Sequence, residues 1–244
     1  MNLAEKYLQM VRAQIDALAG SQLACIETAA GWFADAMAAK HQVYIFGTGH
    51  SHMLAEELFY RAGGLARIIP MLHPPLMLHE SASGSTLAER DPGVVEELLQ
   101  RYPMGDGDVL IVASNSGRNT CPIGLAMSAK ERSVRTIAVL NAGQSARWPS
   151  RHPSGMRLGD VVDLVIDNCG VEGDACVPVP DSALSVGATS TVIGCLILQM
   201  VACRATEMLY AAGTPPDLYQ SSNTDHDERN AVIIAGHRRA NPHL

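Results

Sequence analysis

The chain has no CxxC pair, no stripe of lysines and arginines, and no uninterrupted apolar run of bilayer length. Each absence removes a class of function. Its six cysteines, Cys25, Cys121, Cys169, Cys176, Cys195 and Cys203, follow no regular spacing, so they read as reduced thiols of a cytoplasmic protein. Basic residues number 18 against 25 acidic ones, a formal charge of −7, which disfavours a nucleic-acid surface because phosphate backbones need a clustered positive field. The start, Met1 to Lys6, carries an acid early and lacks the basic head and apolar centre of a signal peptide. Val192 to Cys203 is strongly apolar but short of the roughly 20 residues that cross a bilayer, so no membrane partner is expected. Charged residues make up only 18% and hydrophobic ones 47%. That leaves apolar surface for a core and for a subunit interface, and predicts a homodimer or a dimer of dimers.

Two nucleotide signatures are also missing. Gly47-Thr48-Gly49 begins like a dinucleotide turn, but the third glycine position is His52, and the following strand does not end in the acid that would hold a ribose. No glycine-rich loop runs into Gly-Lys-Ser or Gly-Lys-Thr. NAD and P-loop nucleotides are excluded, and no cofactor is expected.

What the chain does contain is two polar turns, each between a buried strand and a helix. Val109 to Ala113 is apolar on both faces, as in a parallel strand, and Ile123 to Lys130 has helical spacing. Between them lies Ser114-Asn115-Ser116-Gly117-Arg118-Asn119. The earlier turn, Gly47 to His52, joins the strand Gln42 to Phe46 to the helix Met53 to Phe59. Such turns lie at the carboxyl ends of parallel strands, where backbone N–H groups at helix N-termini attract anions. Two of them in one sheet suggest one phosphate site.

Further strands are read at Ala66 to Leu72, Val134 to Leu140 and Val161 to Ile166. Five parallel strands with right-handed crossovers give an α/β, three-layer, doubly wound sheet of flavodoxin-like order 2-1-3-4-5. Residues 1–40 form a helical lead-in, broken at Gly20-Ser21 where Ser21 is placed to cap the second helix. Lys6, Arg12 and Lys40 make no DNA-reading stripe in it. Residues 41–214 form the ligand-binding domain and 215–244 a tail packing on that domain or on a partner subunit. Gln144 to Gly159 reads as a solvated loop, Asp167 to Pro180 as an irregular passage, and Gly187 to about Ala212 as a long buried helix.

Gly49-His50-Ser51, the run Ser114 to Asn119, and the order of elements between about 41 and 212 resemble the SIS (sugar isomerase) domain family of phosphosugar-binding proteins. The runs GTGHSHMLAEE, HES and SSNTDHDE resemble a single-domain bacterial branch of it, near the phosphoheptose isomerases. The resemblance implies a phosphorylated sugar as ligand, held by Gly49, His50, Ser51, Ser114, Asn115, Ser116 and Gly117. Asn119 takes a position where threonine is usual and keeps a donor there. Thr189 and Ser190 are a third anion contact or plain helix caps. The resemblance also implies a histidine from a neighbouring subunit's C-terminal helix, for which His226 is the candidate.

Chemistry is expected in the loop His73 to Ser81, where Glu80 and His79 supply a carboxylate and an imidazole. The alternative is that Glu80 caps the next helix and His79 packs in the loop. Glu57 is the second candidate base, since Glu56-Glu57-Leu58 resembles a run in phosphoheptose isomerases at a different distance from the serine. Asp225, His226, Asp227 and Glu228 read as a helix N-terminus rather than a metal cluster. The leading function is aldose–ketose isomerisation of a sugar phosphate through an enediolate. A non-catalytic phosphosugar sensor and an amino-sugar-phosphate lyase are the alternatives.

Overall fold

The computed structural model describes residues 1–244. Five parallel strands, β1 (Val43–Gly47), β2 (Ile68–Met71), β3 (Val109–Ala113), β4 (Arg135–Leu140) and β5 (Leu164–Asp167), form a sheet in the order β2-β1-β3-β4-β5. This is the order expected. Side chains alternate along each strand, so Val43, Ile45, Val109, Ile111 and Ile137 feed one core and Tyr44, Phe46, Leu110 and Val112 the other. The first core is covered by α2 (Leu23–Ala38), α3 (Met53–Leu58) and α9 (Ser190–Ala211), and the second by α5 (Gly93–Arg101), α6 (Thr120–Glu131) and the short α8 (Leu158–Val161). Strands buried on both faces need apolar residues at every position. That is why they are continuous runs in the sequence.

Both sheet edges are closed by side chains from distant segments. At β2, Pro70 has no N–H to offer, Asn241 Nδ2 donates to the Ile68 carbonyl at 3.2 Å, and Leu65 forms a bridge with Leu218. The C-terminal helix α10 (Asp227–His237) leads into this cover, and His243 meets the Tyr102 hydroxyl at 2.8 Å. At β5, Gln22 Oε1 accepts from Asp167 N at 3.0 Å, so the lead-in closes the other edge.

Several local expectations are corrected. Helix α1 (Leu3–Ser21) begins in a capping box formed by Asn2 and Glu5 and runs through Gly20. Ser21 is its last residue and bonds back to the Ala17 carbonyl, so it does not cap α2, whose N-cap is Gln22. Val161 ends α8 and β5 starts only at Leu164, because the valine pair spans a helix end and a turn. The loop 144–159 contains most of α7 (Ala142–Arg147) and the start of α8. Within 167–189 lies an antiparallel hairpin, β6 (Ala175–Pro178) and β7 (Ser185–Ala188), which takes Gly187 and Ala188 out of the long helix. The hairpin rests on α1, with the Tyr7 hydroxyl donating to the Ala188 carbonyl at 2.9 Å.

Helix α9 is longer than the apolar run alone suggests. Its 22 residues, with a mean hydropathy of 1.6 over an 18-residue stretch, would satisfy a bilayer by length and composition. Ile193, Ile197, Leu198, Val201, Ala205 and Leu209 are nevertheless buried in the first core, so the helix is an element of the fold.

Candidate functional site

Strands β1 and β3 are neighbours at the switch point of the sheet, so the turns after them lie side by side. Each turn depends on one glycine. A Cβ on Gly47 would stand 2.3 Å from the Ser51 carbonyl oxygen, so only glycine lets β1 fold directly into the 3-10 turn Gly49–His52. In the second turn, Gly117 has φ +57°, and its N–H donates to the Ser114 carbonyl at 3.0 Å. The Gly117 and Asn115 carbonyls accept from Leu158 N at 2.8 Å and Asn141 N at 3.0 Å, which ties the turn to the elements around β4.

The N-terminus of α9 completes the arrangement. Ser51, Ser114, Asn115, Asn168, Ser190 and Thr191 supply the polar lining of one cavity, closed below by Leu54, Ala113 and Val139. It holds about 10 Å3, close to the room one water needs. The amides are interlocked: Asn168 Nδ2 donates to Asn115 Oδ1 at 2.8 Å, and Gln14 Nε2 of α1 donates to the Asn168 carbonyl at 2.7 Å. The α9 terminus itself is held by Asp174 at the foot of the hairpin. Its carboxylate accepts from Thr189 N at 3.0 Å, Ser190 N at 2.7 Å and Ser190 Oγ at 2.6 Å. Capping of α9 therefore comes from a carboxylate beyond its own first turn.

The expected ligand residues divide into groups. Ser51, Ser114, Asn115 and Ser190 face the cavity. Gly49 and Gly117 shape the turns, both at positive φ. Ser116 is half-buried beside the cavity, and His50 is exposed. Its neighbour His52 is buried, with Nδ1 against the Gly49 carbonyl. Thr189 is fully buried, and its hydroxyl has no partner. Asn119 turns its side chain away from the cavity. Its Nδ2 donates to Glu89 Oε1 at 2.7 Å, and its Oδ1 accepts from Arg151 Nη1 at 2.8 Å.

The expected catalytic residues stand apart from the cavity. Glu80 and His79 pair at 3.8 Å with both side chains mostly exposed, and they line a neighbouring recess with Glu56, Arg101 and His243. Capping of the next helix, α4 (Ala82–Ala88), falls to Ser81, whose Oγ accepts from Gly84 N at 3.0 Å. Glu57 is held in a salt bridge with Arg61 and accepts from Gln199 Nε2 at 3.0 Å. Gln199 lies nine residues beyond Ser190 on α9, about 13 Å along the helix at 1.5 Å per residue. His226 is exposed at the N-terminus of α10, in a recess lined only by residues 225–229. No three His, Cys, Asp or Glu side chains converge as a metal-binding group.

Sequence reasoning missed the carboxylate that does meet both turns. Glu89, just after α4, accepts from Thr48 Oγ1 at 2.7 Å as well as from Asn119. Arg151 is exposed, as the solvated-loop reading expects, but it is also tied to the second turn: its backbone N–H donates to the Arg118 carbonyl at 2.8 Å, and its side chain holds Asn119. Burial, then the like charges of Arg118 and Arg90, pull the Arg151 pKa below its usual value, while Glu89 acts in the opposite sense. Arg118 lies over the Trp148 ring, 5.9 Å from its centroid.

Comparison with known proteins agrees with this architecture. The model of the SIS domain matches residues 6–141. A UPF0309 protein of Listeria innocua is 42% identical over 193 residues, covering 79% of this chain and 78% of the relative. A UPF0309 protein of Geobacillus kaustophilus is 36% identical over 248 residues, covering 97% and 99%. Among solved structures, a phosphoheptose isomerase from Francisella tularensis superposes with a TM-score of 0.56 at 16% identity, over 85% of this chain and 100% of that one.

Proposed function

Because the chain belongs to the SIS domain family, we propose that it binds a phosphorylated sugar and interconverts its aldose and ketose forms. The observation that carries this reading is the meeting of Ser51, Ser114 and the N-terminus of α9 at one cavity on the switch point of the sheet. With Ser190 held by Asp174, the Ser51 and Ser114 hydroxyls and the backbone N–H groups of the two turns suit a phosphate without requiring a positively charged protein surface. The fold is shared with a protein named as a phosphoheptose isomerase. In the reaction a carboxylate removes the proton from C2 of the open-chain sugar, and the resulting enediolate is reprotonated at C1. A homodimer or dimer of dimers in the cytoplasm goes with this reading, a second copy covering the exposed Leu8 and Ile15 of α1 and Val192 and Tyr210 of α9.

The positions of Glu57 and Glu80 favour a second reading, a phosphosugar sensor without turnover, since neither carboxylate lines the cavity. Two measurements separate the readings. Thermal shift against pentose, hexose, heptose and amino-sugar phosphates, each beside its unphosphorylated sugar, tests the ligand class. A ligand at 100 times its Kd stabilises by about 2.7 kcal/mol, and Ser51→Ala should shrink that shift. No shift with any phosphorylated sugar would remove the ligand class. Exchange of the C2 proton in D2O, followed by NMR on whichever phosphosugar binds, then decides between isomerase and sensor.

A further inference from the structure

We propose that Glu89 is the carboxylate that takes the C2 proton, oriented by Asn119 and Arg151, an assignment that rests on the isomerase reading. Its two oxygens engage one residue from each ligand turn. Oε2 meets Thr48, three positions before Ser51, and Oε1 meets Asn119, three after Ser116, both at 2.7 Å. No other carboxylate bonds to side chains of both turns. Glu57 is fixed by Arg61 and Gln199, Glu80 faces the neighbouring recess, and Asp174 is taken up by α9. Glu89 is half-buried and keeps solvent contact where it bridges the two turns, beside the lining of the cavity rather than in it.

Asparagine at 119 has a specific reason in this arrangement. A threonine hydroxyl would have to accept from Arg151 and donate to Glu89 through one atom on a shorter side chain, whereas asparagine gives each role its own atom. The Asn119 amide does both, because its Oδ1 is pinned by the guanidinium and its Nδ2 is thereby aimed at Glu89. Asn119 and Arg151 are positioning residues. Glu89 acts on the substrate. Its carboxylate accepts the proton from C2, the C2–H electron pair becomes the C1=C2 bond, and the aldehyde oxygen takes the negative charge. The resulting carboxylic acid returns that proton to C1, while the O2 proton passes to O1 by exchange with water, leaving a ketose and the original carboxylate.

The test is Glu89→Gln in the full chain, with C2 exchange, phosphosugar thermal shift and unliganded Tm read in parallel. Loss of a general base predicts a fall in exchange of about 10^2- to 10^4-fold, with the phosphosugar shift kept. Asn119→Ala leaves the carboxylate and its Thr48 partner and removes the amide that aims Oε1, so kcat should fall about tenfold at unchanged KM. It carries the test alone if Glu89→Gln does not fold. Glu89→Gln that exchanges at the wild-type rate, or Asn119→Ala with unchanged kcat, overturns the proposal and leaves the isomerase reading standing. A wild-type protein that binds a phosphosugar and exchanges nothing overturns both.

Discussion

Asp174 bears a testable load. Its carboxylate takes two backbone N–H groups and one hydroxyl at the head of α9, a helix that supplies six residues to the larger core. Replacing a helix cap by alanine costs about 0.5–2 kcal/mol, and a hydrogen bond to a charged group contributes about 1.5–3 kcal/mol. Asp174 is partly solvated, so water recovers part of what is lost, and Asp174→Ala should cost about 2–3 kcal/mol. For a domain of this size each kcal/mol moves Tm by about 2–4 °C, so the melt should drop by about 4–12 °C. Asp174→Asn keeps an acceptor and loses the charge, and should fall between wild type and alanine. Differential scanning fluorimetry with urea melts on all three proteins checks the order. An alanine variant melting within about 1 °C of wild type would show that water replaces the carboxylate fully, and the capping argument would fail.

Two further outcomes follow from the turns and the sheet edge. Gly117→Ala forces a side chain into left-handed backbone, about 1–2 kcal/mol, and sets a methyl 2.9 Å from Ser145 Oγ; urea melts should show the loss, and adding Ser145→Ala should restore part of it. His73 and His243 both have pKa values lowered chiefly by burial. The unfolded chain therefore binds more protons once pH falls below 6.5, their ordinary value. Stability should be level above that pH and decline as pH falls toward the depressed folded values, and a His243→Gln variant should decline less between pH 7 and 5 in thermal melts.

The parts of the fold that were legible share one physical trait, continuous apolar runs between polar turns. Val109 to Ala113 has only one comfortable place, the centre of a parallel sheet. The hairpin β6–β7 has no such signature, because β7 exposes most of its side chains and β6 ends in Pro178. The valine pair at 161–162 gave a false strand start, since an apolar run does not reveal where a helix ends and a strand begins. In the candidate site, the serines of the two turns were readable from their place after strands. Glu89 was not, because its partners lie 41 and 30 residues away and its own neighbourhood, the end of a short polar helix, carries no local sign of them. Asn119 was visible as a departure from threonine. Only the structure gives that departure a purpose.

The cover over β2 also sets a timetable for synthesis. Ile68 is translated 173 residues before Asn241, the side chain that bonds to it. At 5–20 residues per second the nascent sheet waits roughly 9–35 s with that margin unsealed. Through this interval Pro70 is a standing guard: wherever its missing N–H falls, a stray strand finds no donor to dock on. The proline guards the newborn chain, and Asn241 takes over that duty once it has emerged and reached Ile68.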